Sequence, residues 1–256
     1  MGHARTERLD ALGDEVRASL PGALGLFSFV DVLRAQGGLR RAVTDPTLSS
    51  GQRGELVVKL VDGKLDATVV GFLQKAAGLE WPSGLVLASE LERQATRIAL
   101  RSTDPQTVRT ELNTVREAVA SDETLRIAFG NPGGEGQARA QLVRELIGGR
   151  ADEVTTALAT RAARQGSGML HELDEQLELT SQVGGHLLAR ATVARGLPSD
   201  QRERLGGQLS RIFGTQVDVV EHLDPAVLGG VRVQVGDDVI DGTVSATVDQ
   251  AARELE

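Results

Sequence analysis

Residues 39–92 recur without a gap at an offset of 86 positions, and no other feature limits the possible folds of this chain so tightly. Leu39-Arg40 returns as Leu125-Arg126, Ala42 as Ala128, Pro46 as Pro132 and Arg53 as Arg139. Leu56-Val57, Leu60, Gly63 and Asp66 return as Leu142-Val143, Leu146, Gly149 and Asp152. Ala76-Ala77 matches Ala162-Ala163, and Leu87, Leu91 and Glu92 match Leu173, Leu177 and Glu178, which brings the identities to 15. Chance in a chain rich in Leu, Ala, Gly and Arg would give roughly five. Because Pro, Gly and Asp also stay in register, the pattern reads as a duplicated structural unit rather than shared composition.

The unit is helical. Leu9, Leu12, Val16 and Leu20 share one stripe, and Leu26, Val30 and Leu33 begin another. Ser49 and Gln52 have the spacing of a capping box ahead of Leu56, Val57, Leu60 and Val61. Asp66 is placed to cap a helix carrying Val69, Val70, Leu73 and Ala77. Asp104 before Pro105 opens a further helix with Val108, Leu112, Val115 and Val119 on one face. One Trp, five Phe and no Tyr leave the core to Leu, Val, Ile and Ala, which suits helix-on-helix packing.

The pattern changes near residue 186. His186 to Ala194 reads as a strand ended by Gly196-Leu197-Pro198. Ser199 then caps a helix with Leu205, Leu209, Ile212 and Phe213, closed by Gly214. Val217 and Val219 alternate, as do Val231, Val233 and Val235, with Asp224-Pro225 and Gly229-Gly230 breaking the chain between them. Gly236-Asp237-Asp238 supplies a hairpin-type turn before Val239-Ile240, and Thr243 opens a closing helix with Val244, Val248, Ala251 and Leu255. The expected fold is therefore mainly α, a duplicated helical-bundle region followed by a small α/β C-terminal module. Its parts are a first bundle over 1–120, a second helical segment over 121–185 and the module over 186–256.

Charge and chemistry narrow the function. Ser199 to Glu256 holds 11 acids and 5 bases, against 25 and 23 in the remainder, so the module is the acidic part. That balance and the scarcity of aromatics disfavour nucleic acid and anionic membrane, and suit a basic protein partner. No cysteine is present for disulfides, thiolate metal sites or nucleophiles. The longest uncharged run, Ser19 to Val30, is too short to span a bilayer, and the N-terminus lacks an apolar signal-peptide core, so the expectation is a protein without direct membrane insertion. His171-Glu172 has Glu175 where a metalloprotease motif needs its second histidine. Gly133-Gly134-Glu135-Gly136 lacks the Lys-Ser/Thr of a phosphate loop, and Gln165-Gly166-Ser167-Gly168 lacks the spacing of a nucleophile elbow. Asp237, Asp238 and Asp241 read as turn and strand-end residues rather than a calcium loop. No catalytic, metal or cofactor site is expected.

The segment 217–242 resembles the C-terminal signature of the delta subunit of F-type ATP synthase, related to the oligomycin-sensitivity-conferring protein. The matching residues are Val217, Val219, Leu223, Asp224, Val227, Gly229, Gly230, Val231, Val233, Gln234, Gly236, Asp241 and Gly242. Ala191-x-Val193-Ala194 running into the Leu197-Pro198 break is similar to that family too. The likeness is specific over about the last 70 residues and weaker back to about Leu125. It implies a six-helix bundle that grips N-terminal segments of alpha subunits at the top of the catalytic head. It also implies that the module receives the C-terminal end of the b subunit, on the cytoplasmic face of the plasma membrane. The chain departs from the common family pattern in its length and its second helical copy, as do the long forms of high-G+C Gram-positive bacteria. The alternative is a helical-repeat adaptor unrelated to ATP synthase.

Overall fold

The structure is a computed structural model that describes residues 2–130, 136–165, 168–224, 227, 229–235 and 238–242. It divides into two compact units, Met1–Gln176 and Leu177–Glu256. The first holds α1 (Gly2–Asp14), α2 (Leu20–Ala35), α3 (Gly37–Val43), α4 (Ser50–Val61), α5 (Ala67–Gly78) and α6 (Gly84–Leu100). It continues through α7 (Pro105–Ser121), α8 (Glu123–Gly130), α9 (Gly136–Ile147) and α10 (Glu153–Arg164), and the boundary falls within α11 (Met169–Val183).

The duplication is visible in the backbone. Shifted by 86 residues, α4 and α5 coincide with α9 and α10 at both ends. The same shift carries α2, α3 and α6 onto α7, α8 and α11 to within three residues. The correspondence therefore extends well outside 39–92. Shifted likewise, α1 falls on all but the first turn of α6, and as α1 packs on α5, so α6 packs on α10. One helix thus closes the first copy and takes the place of an opening helix in the second.

Local chemistry explains the helix ends. Ser49 and Gln52 form the capping box, Asp66 accepts from Thr68 N, and Asp104 accepts from Gln106 N and Thr107 N ahead of Pro105. Asp152 repeats the Asp66 cap on Val154 N. Gly63 and Gly149 turn the chain after α4 and α9 with φ of 69° and 71°, a conformation costly for residues bearing a Cβ. Each copy also buries an arginine at the same register, Arg53 and Arg139. The Arg53 guanidinium donates to the carbonyls of Ala77 (3.0 Å), Gly78 (3.0 Å) and Leu48 (2.7 Å), and Arg139 Nε donates to Ala163 O at 2.8 Å. The last carbonyls of a helix have no intrahelical donor, so a buried fork of N–H groups satisfies the ends of α5 and α10.

In the second unit, β1 (Leu187–Val193), α12 (Ser199–Phe213), β2 (Val217–Leu223), β3 (Val231–Val235) and β4 (Asp238–Asp241) follow the end of α11. The sheet order is β2-β1-β3-β4, with β1 parallel to β2 and the other pairs antiparallel. Ala189 and Ala191 on the central strand leave room for α12. Its Leu209 packs with Val217, Val219, Val233 and Val235. Helix α12 starts differently from expectation: Pro198, not Ser199, is the N-cap, because its ring already fixes φ at −53° with ψ at 149°. The expected closing helix from Thr243 and residues 236–237 of the β3–β4 turn lie outside the described residues.

Two predictions follow from these anchors. Arg53→Met strands two carbonyls at the end of α5 and that of Leu48 ahead of α4, and is expected to cost about 2–4 kcal/mol in urea unfolding. Hydrogen bonds from Thr68 and Thr107 hold the Asp66 and Asp104 carboxyls below their ordinary pKa. Their stabilisation is full above the unfolded value of about 4 and is lost as pH falls through the lower folded value. The Tm gap between wild type and an Asp66→Ala, Asp104→Ala variant should therefore be widest near neutrality and shrink in acid.

Candidate functional site

The signature residues of the module are mostly scaffold. Val217, Val219 and Val233 are buried beneath α12, and Val231 packs at the margin of that core. Leu223 pairs with Val193 at the end of the parallel ladder, and Asp224 N donates to Val193 O at 2.9 Å, extending it by one residue. Val227 N closes a turn on Asp224 O at 3.1 Å. Gly229 and Gly230, with φ of 140° and 79°, bring the chain back into β3 through angles that side chains resist. Gln234 faces solvent, and Arg232 donates twice to Asp241 Oδ2, at 2.9 and 2.7 Å, across the β3–β4 pair. Gly242 N donates to Val231 O at 3.0 Å, while Gly236 lies outside the described residues.

Between Val217 and Val219 the strand alternation turns Asp218 to the other face of the sheet, where it is buried. Its Oδ2 accepts from Ser181 Oγ at 3.0 Å and lies 3.0 Å from His186 Nδ1. These are the residue types of a hydrolase triad, but the order is wrong. The serine hydroxyl donates to the carboxylate and not to the imidazole, so no base draws the proton from Oγ. The node instead ties the last turn of α11 to β2.

In the helical unit, the two copies meet at Arg161 of α10. Its guanidinium donates to Glu92 of α6 at 2.6 and 2.8 Å, pairs with Asp31 of α2 at 2.7 Å, and lies 4.8 Å from the Phe27 ring centroid. Burial would lower its pKa, but the bonds and charges of Glu92 and Asp31 outweigh that and hold it above the ordinary arginine value. Arg34 of α2 completes the junction through Glu92 (3.1 Å) and Gln165 (3.0 Å). The junction draws on three stretches far apart in sequence, around residues 27–34, 92 and 161–165, and a hint in the sequence is that position 75, the counterpart of Arg161, is also basic.

Beside this junction a groove of about 500 Å³ runs between α2 and the α9–α10 pair. Leu20, Leu24, Phe27 and Ala157 supply apolar walls, and Arg144 and Arg164 stand among its charged residues. Leu24 is 45% exposed there. His171 and Glu175 pair across an exposed turn of α11 at 3.4 Å. Among the described residues no group of three or more His, Asp or Glu is placed to hold a metal ion. No described helix is long and apolar enough to cross a membrane. Among the described residues the arrangement offers an apolar groove bordered by charge, and the Ser181–Asp218–His186 node sets no imidazole on the serine hydroxyl.

Comparison with known proteins agrees with this geometry. The family model for the ATP synthase delta (OSCP) subunit matches residues 95–255, beginning within α6 and covering the second copy and the module. The ATP synthase subunit delta of Cutibacterium acnes is similar at 33% identity over 255 residues, 98% of this chain and 97% of that protein. That of Nocardioides sp. is 37% identical over 234 residues, 90% of this chain and 85% of the relative. The Streptomyces griseus protein of the same description is 32% identical over 98% of this chain and 96% of its own length. The additional helical copy is therefore shared with these relatives.

Arg161 supplies the next prediction. Arg161→Ala leaves Glu92 with only the more exposed Arg34 as its cation and Asp31 without its buried partner, so unfolding free energy should fall by about 2–3 kcal/mol. Glu92→Gln added to that variant should recover part of the loss, and a double-mutant cycle in urea measures the coupling.

Proposed function

The chain belongs to the ATP synthase delta (OSCP) subunit family, and from that premise we propose that it works as a non-catalytic stator of an F-type ATP synthase, holding the catalytic head against rotor torque while protons drive ATP synthesis. The observation that carries this reading is the correspondence with curated delta subunits over nearly the full length of both chains. Family membership sets aside an unrelated helical-repeat adaptor. A stator must resist torque without a chemical step, and buried polar nodes such as Arg161 and Asp218 suit that task because their geometry is demanding.

The two units divide the work. The helical unit holds the N-terminal segments of alpha subunits, and the groove between α2 and α10 is the surface assigned to one such segment. Helix-in-groove docking needs apolar walls with charges at the margin, and Leu20, Leu24 and Phe27 beside Arg144 and Arg164 supply both. The module, 186–256, receives the C-terminal end of the b subunit, its excess of acids matching a basic or mixed-charge helix end. The signature residues act there by shaping the module, since several are buried and cannot touch a partner. The protein sits peripherally on the cytoplasmic face of the plasma membrane through these subunits.

Binding to the isolated head and restoration of coupling in depleted membranes test the reading. Leu24→Glu should weaken head binding by about tenfold or more with little change in Tm. A chain ending at Pro198 should lose the b subunit in a pull-down; retention of b would overturn the assignment of the module.

A further inference from the structure

We propose that the outer wall of the first copy, formed by α4 and α5, is a second helix-docking surface, and that its occupant is an amphipathic helix of another protein carrying an acid one turn after an aromatic residue. The inference comes from the 86-residue register and concerns residues that the family model does not match. In the second copy the wall made by α9 and α10 faces α2, whose Leu20, Leu24, Phe27 and Asp31 point to it. Shifted back by 86, the same wall in the first copy is α4–α5, where no preceding copy supplies an α2.

Stacked repeats end in polar faces where stacking stops. One end of this stack obeys the rule. Counterparts of Leu20, Leu24 and Phe27 on α7 are the polar Gln106, Thr110 and Asn113, of which Thr110 and Asn113 donate along that helix to Gln106 O and Glu117 Oε1. The other end does the opposite. Arg144, Glu153 and Thr156 on the covered wall become Val58, Ala67 and Val70 on the uncovered one, so the wall with no α2 against it is the more apolar. Val58, Leu65 and Val70 are only half-buried, and a Cβ at Gly71 would meet nothing within 4 Å. An apolar patch retained at the end of a stack marks a contact surface.

Charge identifies the occupant. Lys75 stands where Arg161 binds Asp31, and its present partner is Glu15, at 2.7 Å with both side chains more than half exposed. Such an exposed pair is worth about 1 kcal/mol or less and exchanges readily for an acid on an incoming helix. A second copy of this chain cannot lend its own α2, because that helix is already engaged by Arg161 and Glu92. The partner is therefore another protein presenting the pattern aliphatic-x3-aliphatic-x2-aromatic-x3-acid.

The full chain can be titrated with a fluorescent peptide copying residues 18–36, with Leu26, Val30 and Leu33 replaced by glutamine so that only the α2 outer face is apolar. Saturable binding is expected, weakened about tenfold by Gly71→Glu with Tm unchanged, since that position opens on empty space. Lys75→Glu should weaken it about fivefold, and Asp31→Lys in the peptide should restore binding to that variant. Absence of binding overturns the proposal, as does binding indifferent to both substitutions. Self-association of the chain that Gly71→Glu abolishes would also overturn it, by naming a second copy as the occupant. Because Leu24→Glu reports on the other groove, loss of head binding there leaves this test unaffected.

Discussion

A guanidinium with almost no access to water has to be answered on every side, and Arg161 of α10 is answered by two other helices, α2 and α6. Glu92 takes its fork, Asp31 takes a further N–H, and the Phe27 ring covers a face. Since α2 belongs to the first copy and α10 to the second, this cation joins the two copies within one compact unit. The arrangement is unforgiving. Removing one partner weakens the compensation of a buried charge, so drawing the two copies apart at this point is costly. For a protein that has to pass torque between a head and a stalk, such intolerance is an advantage.

The module reaches stiffness by other means. Its central strand carries alanines so that α12 can lie close to the sheet, and a β-α-β connection places β1 beside β2 in parallel. Asp218 then binds the end of α11 from the opposite face. A chain with so few aromatic residues cannot fill a core with large rings. It compensates through close helix approach and through polar nodes such as those of Arg161 and Asp218.

Much of this was legible in the residues. Caps at Ser49, Asp66 and Asp104 act over two or three positions, and their geometry is local enough to be read directly. Alternating valines located the strands, since a half-buried strand leaves little freedom for other spacings. Short helices were another matter: α3 spans one and a half to two turns, too little for periodicity to register. The start of α12 escaped because serine outranks proline as a cap by preference, while proline's fixed φ decided it here. Candidate sites divided the same way. The signature around Gly229-Gly230 was recognisable, yet which of its valines are covered and which residues face a partner depends on where α12 lies.

By itself the sequence determined that the chain is built twice from one helical unit and ends in a small α/β module, because periodicity, caps and glycine turns operate within a few residues of themselves. It also determined the family, through spacings that survive without coordinates. Tertiary structure alone decided that α6 serves both copies, that Asp31, Glu92 and Arg161 converge from positions far apart in the chain, and that one end of the stack keeps an apolar wall. Those facts rest on which surfaces meet. A helix's apolar stripe states that something will cover it, and only the fold shows whether the cover is another part of the same chain.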